Sequence, residues 1–230
     1  MLISPQNLTL HVNHVRSRIQ GAALAAARDP GTVTLVAVTK AQTAETVRMA
    51  ATAGVTDFGE NYLQEALGKM DGLADLPLRW HFIGAIQSNK TRAIAERFHW
   101  VHSVDRLRLA QRLSEQRPFH APPLNVCIQV ALTPEPNKGG VEPAALAALA
   151  AAVAGLPRTR LRGLMCLPPP LEAAAQRANF ARMRGLLAEL NAGGLKLDTL
   201  SMGMSGDFES AIAEGATLVR VGTALFGPRP

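Results

Sequence analysis

The sequence is poor in aromatic residues, cysteines and long apolar runs. Aromatic side chains make up 4% of the 230 residues, which argues against a surface that binds nucleic acid by base stacking. The two cysteines, Cys127 and Cys166, lie far apart in apolar segments without metal-binding spacing, so we expect buried thiols in a reducing compartment. No apolar stretch approaches the ~18 residues of a membrane span, and the N-terminus does not resemble a secretory signal. We therefore expect a cytoplasmic protein that does not associate with membranes.

The charged residues also lack a pattern that would name a macromolecular partner. Lysine and arginine number 24 against 18 acidic residues, a formal net charge of +6. Because the basic residues are scattered and no aromatic residues interleave with them, we expect no nucleic-acid partner. His11 and His14 lie three residues apart in the first predicted helix, but no third ligand is evident, so we expect no metal site.

Short apolar runs alternate with helix-length segments along the chain. An amphipathic segment at about residues 5–28 comes first, and the alternation then covers about residues 33–227. The predicted strands are Thr34–Thr39, Val55–Gly59, Trp80–Ile86, Trp100–Ser103, Asn125–Ala131, Leu161–Met165, Thr199–Met202 and Thr217–Gly222. The predicted helices between them are Thr43–Ala53, Tyr62–Met70, Asn89–Phe98, Arg106–Glu115, Pro143–Val153, Leu171–Asn191 and Asp207–Glu214.

This order predicts an α/β fold of the (β/α)8 type. Several strands are apolar on both faces, as parallel strands covered by helices should be. We predict a single (β/α)8 TIM-like barrel with an extra N-terminal helix, one domain over residues 1–230. A doubly wound open sheet is the alternative. In a (β/α)8 barrel, functional residues directly follow the strands, at their carboxyl ends.

Lys40 directly follows the first predicted strand. Burial there would lower the pKa of its amine, and a neutral amine condenses with an aldehyde to form an imine. The alternative is a solvated strand end without function.

Two small-residue segments follow the last two strands, where barrels of this type often bind phosphate. Ser205 and Gly206 follow strand seven, and Gly222 and Thr223 follow strand eight. Hydroxyls and backbone N–H groups suit a phosphate. Asp207 is also explained as an ordinary helix N-cap.

Arg220 lies inside the last predicted strand, where a charge that cannot be titrated away needs a partner. That partner is either a ligand or a carboxylate in a structural salt bridge. Asn61 and Asn89 lie at helix starts, where N-capping explains them. His81, in strand three, faces the barrel interior in one interpretation and is an ordinary core histidine in the other.

An imine-forming lysine, a phosphate cradle and a buried arginine together describe a pyridoxal 5′-phosphate site. The segments that carry the family likeness are LVAVTKAQTAETVRMAATAGVTDFGENYLQEAL, WHFIGAIQSNKTR, HSVDRLRLAQRLSEQ, LRGLMCLPPP and LSMGMSGDFESAIAEGATLVRVGTALFG. With them the chain resembles the pyridoxal phosphate homeostasis protein family from about Leu35 to Gly227. That family is similar in fold to the N-terminal barrel of alanine racemase.

The resemblance implies a function and a set of site residues. It implies a protein that serves intracellular vitamin B6 homeostasis and carries pyridoxal 5′-phosphate as an imine on Lys40. It implies that the cofactor-binding residues are Lys40, Asn61, His81, Met202, Ser205, Arg220, Gly222 and Thr223. Of these, Ser205, Gly222 and Thr223 would hold the phosphate, and Arg220 would lie near the pyridine nitrogen. Apo-enzymes that use the cofactor are candidate partners, and we expect a monomer or weak dimer.

The chain departs from the family pattern at two places. A second basic residue and a proline usually follow soon after the imine lysine, whereas here the order is Lys40-Ala41-Gln42-Thr43-Ala44. In the loop after strand five, Lys138 is the single lysine. A role for a second lysine in relaying the cofactor is therefore open.

A racemase or another amino-acid enzyme dependent on pyridoxal phosphate is the alternative function. Two-base racemisation needs an acid or base on each face of the substrate carbon. In alanine racemases the opposing tyrosine comes from a partner's extra β-domain. This chain runs only seven residues past Thr223, so we expect no such domain, and its single tyrosine is Tyr62. An arginine beside the pyridine nitrogen also makes the ring a poor electron sink. We therefore expect a carrier without catalytic residues.

Overall fold

The computed structural model describes residues 3–132, 139–169 and 171–228. Eight parallel strands close into a barrel in chain order, with the last strand pairing to the first. The strands are β1 Thr34–Val38, β2 Asp57–Glu60, β3 Arg79–Phe82, β4 Trp100–Val104, β5 Leu124–Gln129, β6 Thr159–Met165, β7 Thr199–Ser201 and β8 Leu218–Val221. The (β/α)8 prediction is confirmed and the open-sheet alternative is wrong. We call the amino-terminal end of the strands the base and the carboxyl end the mouth.

Within the described residues, α-helices connect the strands and cover the barrel. They are α1 Pro5–Ala25, α2 Ala44–Thr52, α3 Leu63–Asp71, α4 Thr91–Arg97, α5 Leu107–Gln116, α6 Pro143–Ala154, α7 Ala173–Ala192, α8 Phe208–Ala213 and α9 Thr223–Phe226. Strands β2 and β8 are buried along their whole length, which explains their lack of apolar–polar alternation.

The extra N-terminal helix α1 packs on the helices next to the predicted phosphate loops. Ser4 caps it by accepting a hydrogen bond from the Asn7 N–H group at 3.2 Å. One helical face, including Leu8, Val12 and Val15, is fully buried. Each such side chain contributes about 1.5–3 kcal/mol through burial. Because α1 contacts both α8 and α9, this face supports the elements that follow β7 and β8.

Several predicted boundaries are wrong for identifiable reasons. The first helix ends at Ala25 rather than Arg28, because the chain turns through a positive φ of 53° at Ala27. Strand β3 ends at Phe82 rather than Ile86, because the chain crosses the loop after β2. A Cβ on Gly84 would lie 2.0 Å from the Asn61 carbonyl oxygen. The short helix α9 was absent from the prediction, since Thr223–Phe226 is too brief to show a helical period.

Candidate functional site at the barrel mouth

One pocket at the mouth brings together residues that follow β1, β2, β7 and β8. Lys40, Asn61, Ser205, Arg220, Gly222 and Thr223, six of the eight predicted site residues, line it. Val38, Ile83, Leu167, Met204 and Gly206 complete the lining. The apolar lining residues are not predictable from the sequence, because an apolar side chain at a strand end gives the same signal as a core residue.

Lys40 is half-buried between two tightly held neighbours. The Thr39 N–H group donates to the Gly59 carbonyl oxygen of β2 at 3.0 Å. The Ala41 N–H group donates to the Glu65 carboxylate at 2.6 Å, although Ala41 has a φ of 62°, a conformation that non-glycine residues rarely adopt. The backbone on both sides of the Lys40 amine is therefore fixed.

A buried charge cluster lies behind this segment. Lys69 donates to the Thr39 carbonyl oxygen at 2.6 Å and to Glu60 at 2.7 Å. Thr39 Oγ1 also donates to Glu60 Oε1, at 2.6 Å. Burial raises the pKa of Glu60 in spite of these hydrogen bonds. The cluster was missed, although an acidic residue at the end of a buried strand is a signal that could have found it.

The segments after β7 and β8 are joined by one side chain. Ser205 Oγ accepts from the Gly222 N–H group at 3.3 Å and from the Ala224 N–H group at 3.2 Å. Gly203, with a φ of 93°, makes the turn possible, since a Cβ there would lie 2.7 Å from Ala211 Cβ. Because Ser205 accepts both bonds, its own O–H hydrogen remains available as a donor.

Asp207 lies at the N-cap position of α8 but does not cap the helix with its side chain. Its carboxylate accepts from the Met204 N–H group at 2.6 Å and from the Gln176 amide at 2.6 Å. The N-cap predictions for the two asparagines are wrong. Tyr62 is the N-cap of α3, and the short 3-10 turn Ser88–Lys90 precedes α4.

Arg220 is 3% exposed and reaches the pocket from strand β8. Its guanidinium donates to Ser201 Oγ at 2.6 Å and to the Cys166 carbonyl oxygen at 2.8 Å. In the part of the chain that the structure describes, no carboxylate forms an ion pair with it. The structural salt bridge therefore receives no support. Burial lowers the pKa of Arg220 from its ordinary value, but a guanidinium stays charged at neutral pH.

The other predicted residues divide between the pocket and the core. Asn61 Oδ1 is buried at the pocket wall, and no hydrogen-bond partner for it occurs within the described residues. His81 and Met202 are fully buried and are not among the pocket-lining residues. His81 lies nearer the base, where it bonds to Asp57 and His102. Lys138 lies outside the described residues.

The structure also describes the cysteines, the potential metal ligands and the length and polarity of the helices. Cys127 and Cys166 are buried and free, as predicted, and burial raises both thiol pKa values to about 12. Over residues 3–132, 139–169 and 171–228, no group of three potential metal-ligating side chains comes together. Among the helices described, none is both long and apolar enough to span a bilayer.

Comparison with known proteins identifies the family. Residues 10–230 match the family described as alanine racemase, N-terminal domain. The chain is 64% identical over 220 residues to a pyridoxal phosphate homeostasis protein of Pseudomonas aeruginosa, covering 95% of this chain and 94% of that one. It is 48% identical over 219 residues to the protein of the same name in Escherichia coli, covering 94% of each chain.

The chain belongs to the pyridoxal phosphate homeostasis protein family. A family structure supports the assignment. PipY of Synechococcus elongatus PCC7942, solved with pyridoxal phosphate bound, is 42% identical. Its TM-score is 0.86, and the match covers 96% of this chain and all of PipY.

Proposed function

We propose that this protein binds pyridoxal 5′-phosphate at the barrel mouth and serves cytoplasmic vitamin B6 homeostasis by holding and delivering it. The observation that carries the proposal is the convergence of Lys40, Arg220, Ser205 and Thr223 on one pocket. Lys40 follows β1, whereas the other three lie in or after the last two strands of the chain. Each provides a group that one part of the cofactor needs.

The phosphate fits the segments after β7 and β8. Ser205 has a hydroxyl hydrogen to donate, and Thr223 adds a second hydroxyl on the same wall. A Cβ added to Gly206 would meet nothing within 4 Å, so there is open space beside these groups. Hydroxyl donors around open space suit a phosphate, which accepts hydrogen bonds through all its terminal oxygens.

The aldehyde and the ring of the cofactor fit the other polar groups that line the pocket. The Lys40 amine attacks the aldehyde carbon, water leaves and an imine joins the cofactor to the chain. Arg220 donates hydrogen bonds and stays charged, so it keeps an adjacent pyridine nitrogen unprotonated. Asn61 Oδ1, which lacks a partner among the described residues, offers an acceptor to the ring hydroxyl.

A carrier fits this geometry better than a racemase does. An unprotonated pyridine ring is a weak electron sink, so it stabilises a substrate carbanion poorly. Tyr62, the single tyrosine, is 65% exposed and does not belong to the pocket lining. A second acid or base facing Lys40 is therefore not supplied by this tyrosine. Racemase activity remains the second candidate, because the matched family carries the alanine racemase name.

The covalent part of the proposal is tested by reduction. Purified protein loaded with pyridoxal phosphate is treated with borohydride, digested and mapped. We expect the adduct on Lys40, and its loss in Lys40→Ala but not in the control Lys90→Ala, whose lysine lies in the 3-10 turn before α4. An adduct confined to Lys138 or Lys90 would overturn the assignment.

The carrier and racemase functions are separated by two measurements. Loaded protein is incubated with individual L- and D-amino acids, and the enantiomer ratios are followed. Turnover that Lys40→Ala abolishes would establish an enzyme. Delivery is tested by adding loaded protein to an apo-enzyme while a scavenger traps free cofactor. Activation despite the scavenger supports direct transfer, and its absence counts against it.

A further inference from the structure

A continuous chain of buried hydrogen bonds runs through the barrel from mouth to base. Arg220 Nη1 lies 2.6 Å from Ser201 Oγ, which lies 2.7 Å from His102 Nδ1. His102 Nε2 lies 2.9 Å from His81 Nδ1. His81 Nε2 lies 3.0 Å from the Asp57 carboxylate. None of these five residues, which we call the relay, is more than 3% exposed.

With both imidazoles neutral, the Asp57 end determines the direction of the histidine bonds in the relay, because each ring then has one donor and one acceptor nitrogen. Arg220 only donates, so Ser201 Oγ accepts from it and has its own hydrogen for His102 Nδ1. His102 then carries its proton on Nε2 and donates to His81 Nδ1. His81 in turn carries its proton on Nε2 and donates to Asp57, which only accepts when ionised. Each of the four hydrogen bonds in the relay therefore has its own hydrogen and its own acceptor.

The surroundings favour this arrangement over one with a protonated imidazole. Burial lowers the pKa of His81 and holds that of His102 well below its ordinary value. Hydrogen bonds from His81, Arg79 and Thr56 outweigh the effect of burial on Asp57 and hold its pKa well below the usual range. Were His81 protonated, His102 would donate to Ser201, and the Ser201 hydrogen would have no acceptor among the relay residues.

We infer that Ser201 and His102 are positioning residues, through which Asp57 at the base orients Arg220 at the mouth. With the Ser201 hydrogen committed to His102, its oxygen is available only as an acceptor for Arg220. Ser201 Oγ and the Cys166 carbonyl oxygen each accept a hydrogen bond from one guanidinium nitrogen of Arg220. These two bonds fix the orientation in which the guanidinium reaches the pocket. The role of Arg220 at the cofactor ring rests on the proposed function. The direction of the hydrogen bonds within the relay does not depend on that function.

The direction is measured in cofactor-free protein by the tautomers of its histidines. Long-range proton–nitrogen correlation spectra at pH 7 distinguish a protonated from an unprotonated ring nitrogen. We expect His81 and His102 to carry the proton on Nε2 alone. His11 is the internal control, since its Nδ1 lies 2.8 Å from the Leu225 carbonyl oxygen and must donate. A proton on Nδ1 of either relay histidine would overturn the inference.

The effect on Arg220 is measured with a matched pair of variants. Ser201→Ala removes the link between His102 and Arg220, whereas Ser114→Ala removes a buried hydroxyl on α5 outside the relay. We expect Ser201→Ala to shift the absorbance maximum of loaded protein and to weaken pyridoxal phosphate binding about tenfold. We expect Ser114→Ala to do neither.

The outcomes separate this inference from the proposed function. An unshifted spectrum in Ser201→Ala, or equal losses in both variants, would overturn the positioning role. If Ser201→Ala does not fold, the tautomers of the wild-type protein decide. If the wild-type protein shows no cofactor absorbance, the proposed function fails, while the tautomers in cofactor-free protein still test the relay.

Discussion

Strand β2 begins and ends with buried carboxylates whose surroundings differ. Asp57, at the base, accepts hydrogen bonds from His81, Arg79 and Thr56, and together these hold its pKa well below the usual range. Glu60, at the mouth, is fully buried, and burial raises its pKa. One oxygen of Glu60 has no hydrogen-bond partner within the described residues, whereas both oxygens of Asp57 do.

This contrast extends to the charges around each end of the barrel. At the base, Arg79 pairs with Asp57 and Arg162 pairs with Asp198. At the mouth, Arg220 has hydrogen bonds but, in the described chain, no carboxylate partner, and Asn61 Oδ1 has no partner there either. Unsatisfied polar groups are costly unless something binds them. We therefore propose that the Asp57 and Asp198 ion pairs at the base serve stability, and that Arg220 and Asn61 at the mouth serve ligand binding.

The largest effect on stability is expected at the base. Asp57→Asn removes the charge to which Arg79 and His81 are bonded. Hydrogen bonds to charged groups contribute about 1.5–3 kcal/mol, and Arg79 is exposed enough for water to replace part of its loss. We expect the free energy of unfolding at pH 7 to fall by about 2–3 kcal/mol in cofactor-free protein. Urea denaturation checks this.

Asp75→Asn is the control for that comparison. Asp75 also pairs with an arginine, Arg48, but its side chain is 60% exposed. Exposed pairs contribute at most about 1 kcal/mol. Equal losses in the two variants would mean that the base carboxylate is no more important than a surface one.

The next effect is expected at the mouth and concerns binding. Ser205→Ala combined with Thr223→Val removes both hydroxyls from the proposed phosphate wall. Hydrogen bonds to a charged group contribute about 1.5–3 kcal/mol each, so pyridoxal phosphate should bind at least ~10-fold more weakly. Pyridoxal, which lacks the phosphate, should lose much less. Titration calorimetry with both ligands measures the difference, and equal losses would indicate that these segments serve packing.

The pH dependence of stability should sharpen the contrast between the two carboxylates. The pKa of Asp57 is lower in the folded than in the unfolded chain, so its stabilisation is complete above its unfolded pKa of about 4. It is lost as the pH falls through the folded pKa. The destabilisation caused by Asp57→Asn should therefore shrink below about pH 4. Denaturation midpoints of both proteins between pH 7 and pH 3 test this, and a constant difference would contradict it.

The barrel was predictable from the sequence because each strand is marked by its own short run of apolar residues. All eight strands were found, although Trp80–Ile86 was four residues too long at its end. Gly84 leaves the sheet because of its close approach to Asn61, a contact that is distant in sequence. Five of the six predicted pocket residues follow strands, where the fold rule places functional groups, and the sixth, Arg220, was predictable as a charge inside a strand. The relay was not predictable, because Ser201 and His102 meet only when the barrel closes.

The smallest effect is expected from Glu60, the mouth counterpart of Asp57. Glu60→Gln keeps an acceptor for Thr39 and Lys69 and removes a charge that burial disfavours. Lys69 keeps Glu65, 2.5 Å from its amine, as an ionic partner. Removing one partner of a buried ion pair is costly when it leaves the other charge uncompensated, and here Glu65 still compensates the charge of Lys69. We expect the free energy of unfolding at pH 7 to change by less than about 1 kcal/mol. Urea denaturation beside Asp57→Asn measures both, and a loss at Glu60 as large as at Asp57 would remove the distinction between the two ends of β2.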